Sequence, residues 1–264
     1  MERIDSLQNP KIKQAVKLRN SARYRREIGL FFSEGLRLVL DAVQWGIFPQ
    51  TVFLTEQFIW EHPDAVTALE CDETRAFTVS EPVMEKLCDT VSPQGVAALF
   101  KMPQAEFPQN PKGLYIGLEN TQDPSNLGAI ARSAEAFGAA GLLVSAKGCD
   151  PFAPKALRAG MGALLRLPMI KAEDFIGAID RFKDCGATVF ASVVTKDALP
   201  IYRAKPSACS LLLIGNEAGG LSADAIKKSD HKVTIPMIGR AESLNAAAAS
   251  AVLIYELQKG AEQR

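Results

Sequence analysis

Beyond residue 113 the chain repeats a single alternation. Short apolar runs at 114–118, 141–144, 187–194, 211–214 and 233–235 are separated by helical patterns at 127–137, 154–161, 172–183, 222–227 and 244–257. Runs that are apolar on both faces, with helices between them, predict buried parallel strands in a doubly wound α/β sheet. Before residue 102 the alternation is looser, with β-rich runs at 29–33, 51–55, 76–79 and 96–100 and helical patterns at 34–44 and 81–88. That reads as a smaller α/β domain. Residues 102–112 hold Pro103, Pro108 and Pro111 among polar residues, which is linker composition. The expected organisation is a domain over 1–102, a linker over 103–112 and a second domain over 113–264, which suits a 264-residue chain at roughly 100 to 200 residues per domain.

Several functional classes lose their parts at this stage. No apolar run approaches the roughly 18 to 20 residues of a membrane span. The first ten residues carry Glu2, Arg3, Asp5 and Pro10 where a signal peptide needs an apolar core, so a cytoplasmic protein is expected. Five scattered cysteines without a Cys-x-x-Cys pair, and only two histidines, indicate no disulfide framework, metal site or Cys–His nucleophile. Glycine spacing matches neither G-x-G-x-x-G nor G-x-x-x-x-G-K-[ST], which disfavours dinucleotides and nucleoside triphosphates.

Charge balances overall, thirty basic against thirty acidic residues, but is segregated along the chain. Residues 1–30 carry eight basic and three acidic residues, and residues 31–102 carry four and eleven. Lys11, Lys13, Lys17, Arg19, Arg23, Arg25 and Arg26 surround Tyr24 in what reads as a helical arm able to lie along phosphates while the tyrosine stacks on a base. A solvated helix face accounts equally well for the charge alone.

In open α/β sheets ligands bind beyond the carboxyl ends of strands, which singles out three loops. Asn126 and Arg132 follow the first strand, on one helix but not on one face of it, and Asp123 or Ser125 serves as a cap in the purely structural alternative. The second loop, Gly215-Asn-Glu-Ala-Gly-Gly220, lets a ligand approach the backbone or simply turns tightly into a helix. The third delivers Ser243 and Asn245 to the last helix, with Ser243 as a candidate N-cap. Together they suit polar recognition of a neutral or cationic small ligand beside a phosphate-bearing one.

These loops, Asp123-Pro-Ser-Asn-Leu-Gly-Ala-Ile-Ala-Arg132, Ile214-Gly-Asn-Glu-Ala-Gly-Gly-Leu-Ser222 and Ile235-Pro-Met with Ser243-Leu-Asn245, resemble in content and order the SpoU-type branch of the knotted SPOUT RNA methyltransferases. Leu7-Gln-Asn-Pro-Lys-Ile-Lys13, Phe32-Ser-Glu-Gly35 and Ser92-Pro-Gln-Gly95 resemble, more loosely, the ribosomal-protein-like substrate-binding domain that precedes that catalytic domain. The resemblance implies methyl transfer from S-adenosylmethionine to a ribose 2′-hydroxyl of structured RNA, a trefoil knot and a homodimer. It implies cofactor contacts at Gly215, Asn216, Ile235 and Leu244, and a catalytic face of Asn126, Arg132, Glu217, Ser243 and Asn245. Lys11, Lys13, Arg23, Arg25 and Arg26 would meet the RNA. Gly160 departs from the pattern, standing where a small hydroxyl residue is expected, and so does the alanine run after Asn245; both bear on helix packing near the cofactor.

A guanidinium stays protonated and makes a poor base, so the expected role of Arg132 is to grip the phosphate beside the target ribose, with Asn126 placing the hydroxyl. Glu217 either pairs with Arg132 or accepts from the substrate. The two-domain layout resembles ribosomal RNA enzymes of the family more than transfer RNA enzymes. The alternatives are a transfer RNA ribose methyltransferase, an RNA-binding protein that has lost catalysis, and, distantly, a nicotinamide-dependent enzyme.

Overall fold

The computed structural model describes residues 1–69, 75–103 and 105–262; Cys71 lies outside them. The elements run β1 (Glu2–Ile4), α1 (Pro10–Asn20), α2 (Ala22–Ile28), β2 (Leu30–Glu34), α3 (Leu36–Gln44), β3 (Pro49–Leu54), α4 (Glu56–Glu61), α5 (Pro63–Ala68), β4 (Ala76–Val79), α6 (Glu81–Leu87) and β5 (Val96–Lys101). They continue through β6 (Gly113–Leu118), α7 (Pro124–Ala136), β7 (Gly141–Ser145), α8 (Pro154–Gly160), α9 (Ala163–Arg166), β8 (Met169–Ala172), α10 (Phe175–Asp184), β9 (Thr188–Ser192), β10 (Leu199–Pro200), β11 (Cys209–Ile214), α11 (Ala223–Lys228), β12 (His231–Thr234) and α12 (Ala246–Glu262). Two packing units result, Met1–Pro103 with Asp150–Leu165, and Gln104–Cys149 with Arg166–Arg264.

In the first unit the described strands form a mixed sheet in the order β1-β4-β3-β5-β2. Helix α1 starts at Pro10, where the Asn9 side chain accepts from the Lys11 amide, and buries Ile12, Ala15 and Leu18 from one face. Helix α2 stops at Gly29, whose φ of 73° only glycine adopts without strain. The segment Asp150–Leu165, which the sequence pattern assigned to the second domain, packs here. Its Phe152 ring tilts onto Phe31 at 5.1 Å between centroids. Arg158 reaches Glu34 at 2.8 Å and Asp89 at 2.7 Å. Gly160, expected to influence packing near the cofactor, lies in α8 and belongs to this unit.

The second unit carries a sheet in the order β10-β12-β9-β11-β6-β7-β8, parallel at every described pairing. Tyr115, Leu143, Val189, Leu211 and Leu213 on one face pack against Phe175, Ile179 and Phe182 of α10 and Ala225 of α11. Alternate residues such as Ile116, Leu142, Phe190 and Leu212 are fully buried on the other face, the side on which α7 and α12 pack together. The doubly wound reading therefore holds. The proline-rich segment is anchored: the Phe107 ring meets Phe182 edge-on at 4.8 Å, with Arg181 stacked above it at 4.0 Å.

Candidate active site

Strands β6 and β11 are register partners, Leu118 opposite Ile214, so their loops leave the sheet side by side. Glu119, buried at the end of β6, accepts from the Ser222 hydroxyl at 2.7 Å and the Ser222 amide at 2.8 Å, latching the two loops together. The Ser222 hydroxyl also accepts from the Ala225 amide and caps α11. Asn216 and Gly220 exchange backbone hydrogen bonds across a tight turn. A Cβ at Gly215 would stand 2.1 Å from the Gly220 carbonyl carbon, so no other residue fits there. The Asn216 side chain accepts from the amides of Ala218 and Gly219 and donates to the Asn120 carbonyl at 2.8 Å.

Helix α7 begins at Pro124, with Asp123 accepting from the Ser125 amide. Glu217, arriving from the β11 loop, accepts from the amides of Gln122 and Asp123 at 3.2 and 3.3 Å and from Asn126 Nδ2 at 3.0 Å. A carboxylate beside a helix N-terminus is electrostatically favoured. Partial burial pushes the Glu217 pKa upward, but these hydrogen bonds outweigh it and hold the carboxyl below its ordinary range. Asn126 is buried on the inner face of α7; its Oδ1 accepts from Asn245 Nδ2 at 3.2 Å. Asn245 Oδ1 accepts from the Ala247 amide at 2.9 Å. Asn245, not Ser243, therefore caps α12, which starts two residues later than expected. A chain of donors runs Asn245 to Asn126 to Glu217 and ties all three loops.

The depressed pKa of Glu217 has a testable consequence. Its hydrogen bonds stabilise the fold above the unfolded glutamate pKa of about 4.3 and are lost as pH falls through the lower folded value. Glu217→Gln should melt earlier than wild type at pH 7, because an amide has one acceptor oxygen where the carboxylate has two, so that with Oε1 kept for Asn126 and Asp123 its NH₂ faces the Gln122 N–H donor. Melting curves from pH 7 down to 3 should show that gap closing. A gap that stays constant would mean the carboxylate charge is not what holds the loops.

Beside this network the ends of β9, β11 and β12, the 235–245 loop and the first turns of α12 line an open cavity of about 700 Å³. Gly215, Asn216, Ile235 and Leu244 all line it, as do Glu217, Ser243 and Asn245. Leu221, Val233 and Leu253 give it an apolar wall, while Glu217 and Glu242 are its acids; its described lining contains no basic residue. Glu119, Ser192, Thr234 and Glu242 were not singled out from the sequence. Of these only Glu119 carried a signal, an acid directly after a buried strand.

Asn126 and Arg132 are not among the lining residues. Arg132 is exposed on the outer face of α7 and, among the described residues, makes no hydrogen bond or ion pair, so the expected pairing with Glu217 does not occur. In the first unit Lys11, Lys13, Arg23 and Arg26 are exposed. Arg25 is not: only 3% exposed, it pairs with Asp150 at 2.7 Å and donates to the carbonyls of Leu18 and Arg19. The expectation that it meets RNA is corrected by that burial. Tyr24, expected to stack on a base, has Lys17 over one face of its ring at 4.0 Å. Among the described residues no group of three or more His, Cys, Asp or Glu side chains is placed to hold a metal, and no helix is long and apolar enough to cross a membrane.

Comparison with known proteins meets this geometry. Residues 113–255 match the SpoU rRNA Methylase family, and residues 9–98 match the MRM3-like substrate binding domain. The chain is 32% identical to an uncharacterized tRNA/rRNA methyltransferase of Synechocystis, over 97% of this chain and 93% of that one. It is 30% identical to the 23S rRNA (guanosine(2553)-2′-O)-methyltransferase RlmP of Bacillus subtilis, over 98% and 100%. The AdoMet-bound crystal structure of an rRNA methyltransferase from Sinorhizobium meliloti superposes with a TM-score of 0.84 at 29% identity, covering 98% of this chain and 97% of that one.

Proposed function

Because this chain belongs to the SpoU rRNA methylase family, we propose that it transfers a methyl group from S-adenosylmethionine to a ribose 2′-hydroxyl of ribosomal RNA in the cytoplasm, as a homodimer. The observation that carries this reading is the cavity of about 700 Å³ beside the Asn245–Asn126–Glu217 chain. Its residues fit the cofactor. An apolar wall suits an adenine ring, the backbone of the lining residues Gly215, Ile235 and Leu244 suits its polar edge, and acids with no basic residue in the described lining suit a cationic ligand. S-adenosylmethionine, when bound, supplies a methyl group on positively charged sulfur, already activated toward an oxygen nucleophile.

The protein's own task is then alignment and proton handling. Gly215, Asn216, Ile235 and Leu244 hold the cofactor. Ser243 and Asn245 present polar groups at the cavity edge, and Glu217 offers a charged acceptor whose protonation state is fixed by its donors. Asn126 is a positioning residue here, since its amide is engaged by Glu217 and Asn245. Arg132 holds the phosphate next to the target ribose. The trefoil knot expected of the family is part of this reading. Val252 and Tyr255, exposed along α12, and the exposed Tyr202, Met237 and Ile238 support a paired molecule. Residues 1–102 select the RNA, and residues 113–264 carry the reaction.

Labelled methyl transfer to total RNA, followed by mapping of 2′-O-methyl sites in cells with and without the protein, tests the function. One or more ribosomal sites should disappear with the protein. Neutralising Lys13, Arg23 and Arg26 should lower RNA affinity and reduce the slope of log K against log salt by up to about one per lost contact. No transfer to any RNA, or loss of sites in transfer RNA alone, would overturn the ribosomal reading.

A further inference from the structure

The first unit contains a second cavity, of about 130 Å³, between α1 and the strands β3, β4 and β5. Its base is apolar, made by Phe77 and Leu99, which are 4% and 2% exposed. Its walls and mouth are polar: Lys11 and Gln14 from α1, Gln50 and Thr51 from β3, and Arg75 just before β4. Among the described residues none of these five side chains makes a hydrogen bond or an ion pair; Lys11 only rests above the Phe77 ring, 4.8 Å from its centroid. Two amides, a hydroxyl and two cations thus converge, unspent, on one concave site.

The chemistry specifies a ligand class. Gln amides both donate and accept, which matches the mixed edges of a nucleobase. An ammonium and a guanidinium at the mouth match a phosphate. The volume falls well below the roughly 300 to 1,000 Å³ of ordinary ligand pockets, which admits one ring edge and not a helix. RNA is read at unpaired nucleotides whose bases leave the stack. We infer that this cavity receives one unpaired nucleotide of the substrate RNA, its base edge against Gln14 and Gln50 and its phosphate against Lys11 and Arg75. The inference rests on the RNA-modifying reading above and adds to it the place where an extruded base is recognised.

The test uses the full chain. Gln14→Ala and Gln50→Ala should each raise the dissociation constant for ribosomal RNA fragments about three- to tenfold, the effect of a lost hydrogen bond, without altering the salt slope. Lys11→Ala and Arg75→Ala should also reduce that slope by about one. Unchanged melting temperatures establish that each variant is folded. Titrating the four nucleoside 5′-monophosphates into ¹⁵N-labelled protein should shift the side-chain NH₂ signals of Gln14 and Gln50. Variants that bind RNA as wild type does, with no such shifts, would overturn the inference while methyl transfer by wild type left the parent reading standing. If wild type transfers no methyl group to RNA, the parent reading fails, and the monophosphate titration alone decides whether the cavity binds nucleotides.

Discussion

Arg132→Ala should lower methyl transfer to RNA by about 10²- to 10³-fold, the usual loss when a charged or hydrogen-bonding group is removed from a transition state. Arg132→Lys should recover little of it. Lysine keeps the charge but cannot form the two-pronged contact that a guanidinium makes with a phosphate. The structure makes the case specific: Arg132 is exposed and, among the described residues, has no partner inside the protein to lose, so a fold defect is not expected. Nor does it line the cavity, so cofactor affinity measured by calorimetry should be unchanged in both variants. If Arg132→Lys turned over at the wild-type rate on normally bound RNA, the phosphate-anchoring role would be wrong.

Arg25→Met should do the opposite, sparing the chemistry of the site and damaging the fold. Both side chains of the Arg25–Asp150 pair are under a tenth exposed, at 4% and 9%. Removing one member of such a pair strands a buried charge and costs about 3–5 kcal/mol, a fall in melting temperature on the order of 10 °C for a unit of this size. Asp150→Asn, which keeps an acceptor for the Phe152 amide, should restore much of the loss in the double variant. Thermal unfolding of the two single variants and the double checks this. A melting temperature unmoved by Arg25→Met would show that the pair contributes nothing to stability.

The contrast between these two arginines marks how far the sequence could be read. Strands β6, β7, β9 and β11 were legible because a strand buried on both faces is apolar throughout, whereas β12 was legible only from Val233, its His231 and Lys232 being exposed. The missed strands β1, β8 and β10 are two to four residues long and lie at or near sheet edges, where solvent removes the pattern. The cavity-lining loops were legible as motifs, but their internal wiring was not. That Asn245 caps α12 and hands its amide to Asn126 depends on which loops the sheet sets side by side. The basic arm misled at Arg25 because its partner Asp150 is 125 positions away, and charge patterning sees only near neighbours.

The fate of Asp150–Leu165 bears on how the molecule is made. The chain supplies the first unit's sheet by Lys101, yet the acid for Arg25, the ring that covers Phe31 and the guanidinium that joins Glu34 to Asp89 all come after Cys149. A nascent chain emerging from the ribosome therefore carries an unfinished amino-terminal half until the first two strands of the following sheet, β6 and β7, have already been synthesised. A fragment cut at Pro103 inherits the same deficit permanently, with the Arg25 guanidinium keeping its two carbonyl acceptors but lacking its carboxylate. The two halves are separable on paper by their motifs, but in the order of synthesis the earlier one is completed by the later.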